Sequence, residues 1–337
     1  MSPWTVGLFV LGIALLVAGA ELLVRGASAL ARAANVAPLI IGLTVVAFGT
    51  SAPELAVSVQ AGLVGQDAVA LGNVIGSNIA NVLLILGISA LITPLVVHQQ
   101  IISKELPLML GLSVLTLLLG LDGAIGWIDG LALLLILAGW LAVLFRQGRH
   151  ENADVKAQYD AELGGPADRS LRTIALHAAL VLAGLAMLVL GARWLVEAAT
   201  DTARALGVSD LVIGLTVVAV GTSLPELATS AIAALRGERD IAVGNVIGSN
   251  VFNILGVLGA AALFTPDGVT VPHAALIVDL PVMIGVALAC LPIFYTGHRV
   301  DRWEGALLLA LYAAYVAWLI LDSLDHPHLT AFASIMS

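Results

Sequence analysis

Ten stretches of about 20 predominantly apolar residues can be drawn along the chain, near 5 to 25, 38 to 63, 70 to 92, 104 to 120, 126 to 145, 173 to 196, 210 to 235, 241 to 263, 274 to 295 and 303 to 321. A bilayer core roughly 30 Å thick is crossed by a helix of about 20 residues. Inside hydrocarbon only segments that satisfy their own backbone hydrogen bonds are viable, so these runs predict membrane-spanning helices. Composition agrees: 60% hydrophobic residues with 11% charged, and a mean hydropathy of +1.05, leave too little polar surface for a water-soluble globule. The first run has no basic residue ahead of it and reappears in altered form later, which predicts a retained span and not a cleaved signal. The single cysteine, Cys290, excludes an intramolecular disulfide and a Cys-based metal site, and is read as a small apolar filler.

The formal net charge of -9 says less than where the cations lie. With the N-terminus outside, 12 of the 14 Lys and Arg residues fall at inner ends or inner loops, and only Arg193 and Arg204 fall toward the outside. The positive-inside rule therefore predicts both termini outside and a cytoplasmic linker at 146 to 172, the one long hydrophilic segment. This divides the chain into units at 1 to 145 and 173 to 337.

The two units are copies. A shift of 172 residues aligns Ala37 to Ser58 with Ser209 to Ser230 at 16 identities in 22 positions, and A-L-G-N-V-I-G-S-N-I-A-N from Ala70 with A-V-G-N-V-I-G-S-N-V-F-N from Ala242 at nine in twelve. E-L-P-L-M-L-G at Glu105 echoes D-L-P-V-M-I-G at Asp279, two residues out of step. Such agreement is an internal duplication. Each copy holds five spans, an odd number, so the second enters the membrane from the opposite face. The expected fold is an all-α membrane protein of ten transmembrane helices in two inverted five-helix repeats, an arrangement in which secondary transporters bind substrate at the repeat interface near the midplane. A dimeric channel-like fold is the alternative with similar symmetry.

G-T-S-A-P-E at Gly49 and G-T-S-L-P-E at Gly221 lie in the middle of apolar runs. A carboxylate at that depth costs roughly 2.5 to 3.5 kcal/mol on insertion scales, so Glu54 and Glu226 are read as ligands. Pro53 and Pro225 each remove a helical N–H, and Gly49 and Gly221 loosen the backbone beside them, so each helix is expected to break here. The break is expected to free carbonyl oxygens at Ala47, Thr50, Ala219 and Thr222. With the hydroxyls of Thr50, Ser51, Thr222 and Ser223 and the two carboxylates, these make an all-oxygen set suited to hard cations. Unwound backbone is tolerated there only where it is buried in protein or lines a cavity.

The second motif adds Ser77 with Asn81, and Ser249 with Asn253, each pair four apart on one helical face. These oxygens can point at the same interior as the glutamates, with interhelical hydrogen bonding as the structural alternative. Gly72, Gly76, Gly244 and Gly248 are explained by close helix packing alone. Asn78 and Asn250, one position off the face, are expected to brace that packing.

Together, G-x-T-V-V-A-x-G-T-S-x-P-E and G-N-V-I-G-S-N-x-x-N, each present twice, resemble the alpha repeats of the sodium/calcium exchanger family, within the cation/calcium antiporter superfamily, and most closely its short prokaryotic members. The resemblance covers nearly the whole chain. It implies ten spans, alternating access, and Na+ uptake coupled to Ca2+ extrusion across the inner membrane. By motif match it implies ion ligands at Ala47, Thr50, Ser51, Glu54, Ser77 and Asn81, and at Ala219, Thr222, Ser223, Glu226, Ser249 and Asn253. Some relatives carry Asp where this chain has Asn253. Two carboxylates balance one Ca2+ or two Na+, so the family's three sodium ions per calcium are in question here. The expected partners are Na+, Ca2+ and the lipid bilayer, with no cofactor, no nucleic acid and a functional monomer.

Other polar groups draw structural readings. The histidines, His177 and His273 among them, are expected at span ends or in loops, solvated. Glu105 and Asp279 precede Leu-Pro and are expected to cap helices, with an ion-access path as the alternative. Asp122 and Asp129 fit a turn. A hydrolase lacks a histidine in the Ser-rich motifs and any G-x-S-x-G, and a passive channel does not need ligands duplicated at one level. A calcium/proton antiporter is the serious rival, because carboxylates alone can trade Ca2+ for protons; the added hydroxyl and backbone oxygens favour sodium.

Overall fold

The computed structural model of the chain describes residues 3–34, 36–150, 170–205 and 219–325. They form α1 (Pro3–Ala34), then α2 (Pro38–Thr50), α3 (Ala52–Leu63), α4 (Val69–Ile92) and α5 (Ile101–Asp122). α6 (Trp127–His150) and α7 (Leu171–Ala205) precede the short α8 (Ala219–Thr222) and α9 (Leu224–Leu235). The described chain closes with α10 (Arg239–Phe264), α11 (Ala275–Tyr295) and α12 (Arg302–Asp325). Among the described residues eight helices are long and apolar enough to cross a bilayer, and α2 with α3, bent by 45° at their junction, make up to nine. The chain is a multi-pass membrane protein. The expected span at 210 to 235 lies partly in residues 206–218, outside the described residues, as do 151–169 of the linker.

α1 and α7 run for 32 and 35 residues, about 48 and 52 Å at 1.5 Å per residue, well past the runs at 5 to 25 and 173 to 196. Hydropathy marks where hydrocarbon ends, and charged residues such as Glu21, Arg25 and Arg32 do not stop a helix. The two cross antiparallel through glycines. A Cβ on Gly12, Gly19 or Gly26 would come within 2.8 to 3.0 Å of the carbonyl oxygens of Gly191, Gly184 and His177 in turn, so these backbones touch as small-residue seams allow.

α10 is buried along nearly all its length and α4 along most of it, whereas α6, α7 and α12 turn most of their surface outward. Leu135, Leu182 and Leu311 stand exposed there, as lipid-facing residues do. Gly244 and Gly248 let α10 close on the backbone of Leu39 and Leu43 in α2, where an added Cβ would lie only 3.0 and 2.7 Å from the respective carbonyl oxygens. At the ends of the bundle, two antiparallel ladders join the halves. β1 (Leu95–Val96) pairs with β4 (Arg299–Val300), Leu95 opposite Val300. β2 (Ala124–Ile125) pairs with β3 (Val269–Thr270), Ile125 opposite Val269.

Candidate functional site

Both P-E motifs break their helices in the same way. Ser51 (φ -82°, ψ 7°) separates α2 from α3, and Ser223 (φ -87°, ψ 8°) separates α8 from α9, each with proline in the first turn that follows. Proline is well suited to that turn, since its missing N–H would find no helical partner there. Glu54 and Glu226 thereby enter the first turn of α3 and α9, where the helix dipole favours negative charge. Both are buried.

The break does not free the carbonyl of Ala47 as expected. It still accepts the Ser51 N–H at 3.0 Å, and the Thr50 hydroxyl, whose one proton is shared between this carbonyl at 3.3 Å and Asn245 Oδ1 at 3.1 Å, lies beside it. The donor lost at Pro53 is the one that Gly49, four residues back, would have used. Ala47 offers its second lone pair at most. Ala219 opens α8, and Thr222 closes it immediately before the break.

The two breaks meet across the halves. The Ser51 hydroxyl donates to Glu226 Oε1 at 2.9 Å, and the Ser223 hydroxyl donates to Glu54 Oε1 at 3.4 Å. α4 and α10 bring the second motif to the same place: Asn253 Nδ2 donates to Ser77 Oγ at 2.9 Å and Asn81 Nδ2 to Asn250 Oδ1 at 3.0 Å. Asn250 Nδ2 donates in turn to Met109 Sδ at 3.2 Å, bracing α10 against α5 as expected, whereas Asn78 Nδ2 turns back to the Val74 carbonyl of its own helix at 2.8 Å, a bond that braces no helix pair. Thr50, Ser51, Ser77 and Ser223 all spend their hydroxyl protons on protein acceptors, which leaves oxygen lone pairs for something else.

Other oxygens of the same motifs are left unpaired. Among the described residues Glu54 Oε2, Glu226 Oε2, Asn81 Oδ1, Asn253 Oδ1 and Ser249 Oγ are buried without a hydrogen-bond partner. A buried acceptor left unpaired costs about 1 to 3 kcal/mol, more when charged. Two carboxylates, two amides and a hydroxyl left open together are a set that an oxygen-seeking cation satisfies.

Two residues of the site escaped the sequence reading. Asn73 Nδ2 donates to the Glu54 carbonyl at 3.1 Å and to Ser58 Oγ at 2.9 Å. Its counterpart Asn245 donates to the Glu226 carbonyl at 3.4 Å and to Ser230 Oγ at 3.0 Å. The signal was present: both lie in the duplicated block, one helical turn before Ser77 and Ser249 on the same face.

Other expectations change. Neither Glu105 nor Asp279 makes a side-chain cap. Glu105 instead accepts the Trp140 indole N–H at 2.8 Å and Gln100 Nε2 at 3.2 Å, because the preceding backbone is already helical and leaves no open amide to cap. His177 is not solvated at Nδ1, which is buried without a partner, since the long α7 carries it against α1. Asp129 holds its turn through the Gly126 N–H at 2.9 Å, and Cys290 is a buried filler.

A multi-pass helical protein that joins buried glutamates, serines and asparagines of two duplicated segments by hydrogen bonds across the segments has the makeup of an ion transporter. The family model described as sodium/calcium exchanger protein matches residues 4–146 and 176–321. The chain belongs to the sodium/calcium exchanger family. It is 41% identical over 286 residues to the putative antiporter CaxA of Alkalimonas amylolytica, covering 83% of this chain and 88% of that protein. It is 34% identical to the sodium/calcium exchanger MaX1 of Methanosarcina acetivorans, covering 84% and 89%. Solved structures of the sodium-calcium exchanger NCX_Mj superpose with a TM-score of 0.81 at 35% identity, covering 94% of this chain and 99% of that one.

Proposed function

We propose that this protein is a secondary active antiporter that exchanges Na+ for Ca2+ by alternating access and extrudes Ca2+ across the inner membrane. The observation that carries the reading is the pair of buried carboxylates, one from each half, each bonded to the other half's serine through one oxygen and open at the other. Ca2+ takes six to eight oxygens at about 2.3 to 2.6 Å. The proposed ligands are Ala47, Thr50, Ser51, Glu54, Ser77 and Asn81 from the first half and Ala219, Thr222, Ser223, Glu226, Ser249 and Asn253 from the second. The carboxylates offset dehydration of the ion, and the neutral oxygens suit Na+ once Ca2+ has left. Membership of the sodium/calcium exchanger family supports sodium as the counter-ion. Because one chain supplies the whole set, it works as a monomer.

Ten spans in two inverted repeats, split at 146 to 172, belong to this proposal. The two-block family match at 4–146 and 176–321 is consistent with it, and the strand ladders support it by parity. β1 and β4 are hydrogen-bonded, so they share a face of the membrane. An even number of crossings must therefore separate them. α5, α6, α7, α10 and α11 make five, and the span expected from the sequence at 210 to 235, which ends in α9, is proposed as the sixth. Lys104, Arg299 and Arg302 flank the β1–β4 ladder, while Asp122, Asp129 and Asp267 flank β2–β3. The Lys and Arg among these support the reading that β1–β4 lies on the cytoplasmic face with both termini outside.

Uptake of 45Ca2+ into proteoliposomes, with sodium and pH gradients imposed separately, tests the reading. Flux is expected to follow the sodium gradient at constant pH. Flux that follows only the pH gradient overturns sodium coupling in favour of the proton antiporter, for which the two carboxylates alone suffice.

A further inference from the structure

Asn73 and Asn245 lie outside the ligand set, yet both hold it. In α4, Asn73, Ser77 and Asn81 follow one another at intervals of four, and in α10 so do Asn245, Ser249 and Asn253. Each trio therefore forms one stripe along a helix face. The last two members of each stripe carry candidate ligand oxygens. The first member is bonded to the backbone of the glutamate on the neighbouring helix of the same half, α3 or α9. Each asparagine thus ties together the two helices that supply a half's ligands.

We infer that Asn73 and Asn245 are positioning residues that set the register between the carboxylate helix and the serine–asparagine helix, and so the fit of the cage to Ca2+. The demand for such a lock is geometric. Sliding one helix by a single residue moves its side chains about 1.5 Å along the axis, whereas Ca2+–oxygen distances span only about 0.3 Å. A bond from a side-chain amide to the Glu54 or Glu226 carbonyl fixes one height, and the second bond, to Ser58 or Ser230, fixes the rotation. The same arrangement occurs independently in both halves at the shift of 172 residues, with all four distances between 2.9 and 3.4 Å.

The two locks are unequal. Asn245 is fully buried, and its Oδ1 also accepts the Thr50 hydroxyl from the other half at 3.1 Å. Asn73 is only half-buried. The loss of Asn245, the more deeply buried, is therefore expected to be the more damaging of the two.

The inference rests on the antiport reading, and one measurement separates them. Purified wild type and the variants Asn73→Leu, Asn245→Leu, Ser58→Ala and Ser230→Ala are compared for 45Ca2+ equilibrium binding and for thermal midpoint with and without Ca2+. Loss of a partner that orients a metal ligand typically weakens metal affinity about 10- to 100-fold. We expect that range for Asn245→Leu, its lower end for Asn73→Leu, and less than about threefold for the serine variants, which keep the bond to the glutamate carbonyl. The Ca2+-induced rise in midpoint shrinks in step with affinity. A role in packing alone lowers the ion-free midpoint and leaves the Ca2+-induced rise intact, which overturns the inference. If leucine blocks folding, Asn73→Ser and Asn245→Ser carry the same test, since serine cannot span both acceptors. A wild type that binds no Ca2+ overturns the antiport reading itself, and this inference with it.

Discussion

The two halves of the molecule agree bond for bond at the glutamates and part company one turn later. Past α3 the chain reads V-G-Q-D-A from Val64; past α9 it reads R-G-E-R-D from Arg236. The backbones match, with Gly65 at φ 76° and Gly237 at φ 77°. The contacts do not. Arg236 bonds Glu21 of α1 through Nε at 2.5 Å and pairs with its other oxygen as well, Glu238 Oε1 accepts the Ser28 hydroxyl at 2.7 Å, and Asp240 faces His98 at 3.0 Å. At the equivalent positions stand Val64, Gln66 and Ala68, and the residues matching Glu21 and Ser28 are Arg193 and Thr200. The ion-handling core is duplicated, and the turn that would lie at the cytoplasmic face is latched to α1 by charges with no twin at the other face. On the proposed reading, symmetry is kept where both halves would meet the same ion and given up where they would meet different compartments.

The largest test of the shared part is removal of one charge at a time. Glu54→Gln and Glu226→Gln keep size and an oxygen but lose the charge that offsets dehydration. Transport of 45Ca2+ is expected to fall at least 100-fold in each, and by similar factors. Robust sodium-dependent flux in either variant sinks the assignment, and strongly unequal losses break the equivalence of the halves.

Asn253→Asp sharpens the charge count. It adds a third carboxylate beside Ser77, whose hydroxyl proton can turn to it from the Val74 carbonyl. We expect about tenfold tighter Ca2+ binding, or more sodium ions coupled to each calcium in reversal-potential measurements. No change in either quantity removes Asn253 from the site.

The latch is the smaller, asymmetric part. Arg236 and Glu21 are each about a third exposed, and such pairs are worth about 0.2 to 1 kcal/mol, so Arg236→Gln shifts the balance between outward- and inward-open forms only a few-fold. In a Cys290→Ser background, a cysteine introduced at Thr229 is expected to label correspondingly faster from the cytoplasmic face. Val64→Arg combined with Arg193→Glu, which writes the pair into the opposite face, is expected to slow labelling of a Val57→Cys variant from outside. Unchanged rates in both mean that the turn's charges serve folding alone.

What the sequence made legible follows the same division. Hydropathy located eight spans and the bent pair α2–α3 among the described residues, and the duplicated motifs located the breaks and the glutamates, because Pro53 and Glu54 act within their own helix and need no knowledge of neighbours. Partners set by helix crossings stayed hidden: that Asn73 reaches the Glu54 carbonyl, that Thr50 turns to Asn245, that Glu21 meets Arg236. Local rules also erred where an already helical backbone overrode them, as at Ala47, whose carbonyl stays bonded to Ser51, and at Glu105, which caps nothing.

Glu105 closes the comparison from the side of carboxylates that are not ligands. It is as well hidden as Glu54, at 3% exposure against 1%, so burial alone does not tell the two apart. Their partners do: Glu54 Oε2 is open, whereas both oxygens of Glu105 are taken, Oε1 by Gln100 and Oε2 by the Trp140 indole. Glutamine at position 105 keeps an acceptor for the indole, so Glu105→Gln is expected to change transport by less than about twofold. Glu105→Leu strands the Trp140 N–H, at a cost of about 1 to 3 kcal/mol, and is expected to lower the thermal midpoint while Ca2+ affinity stays near wild type. Transport in Glu105→Gln that collapses as it does in Glu54→Gln would instead put Glu105 on the ion's path, and the distinction between open and occupied carboxylate oxygens would fail as a guide to which acids in this bundle carry the cation.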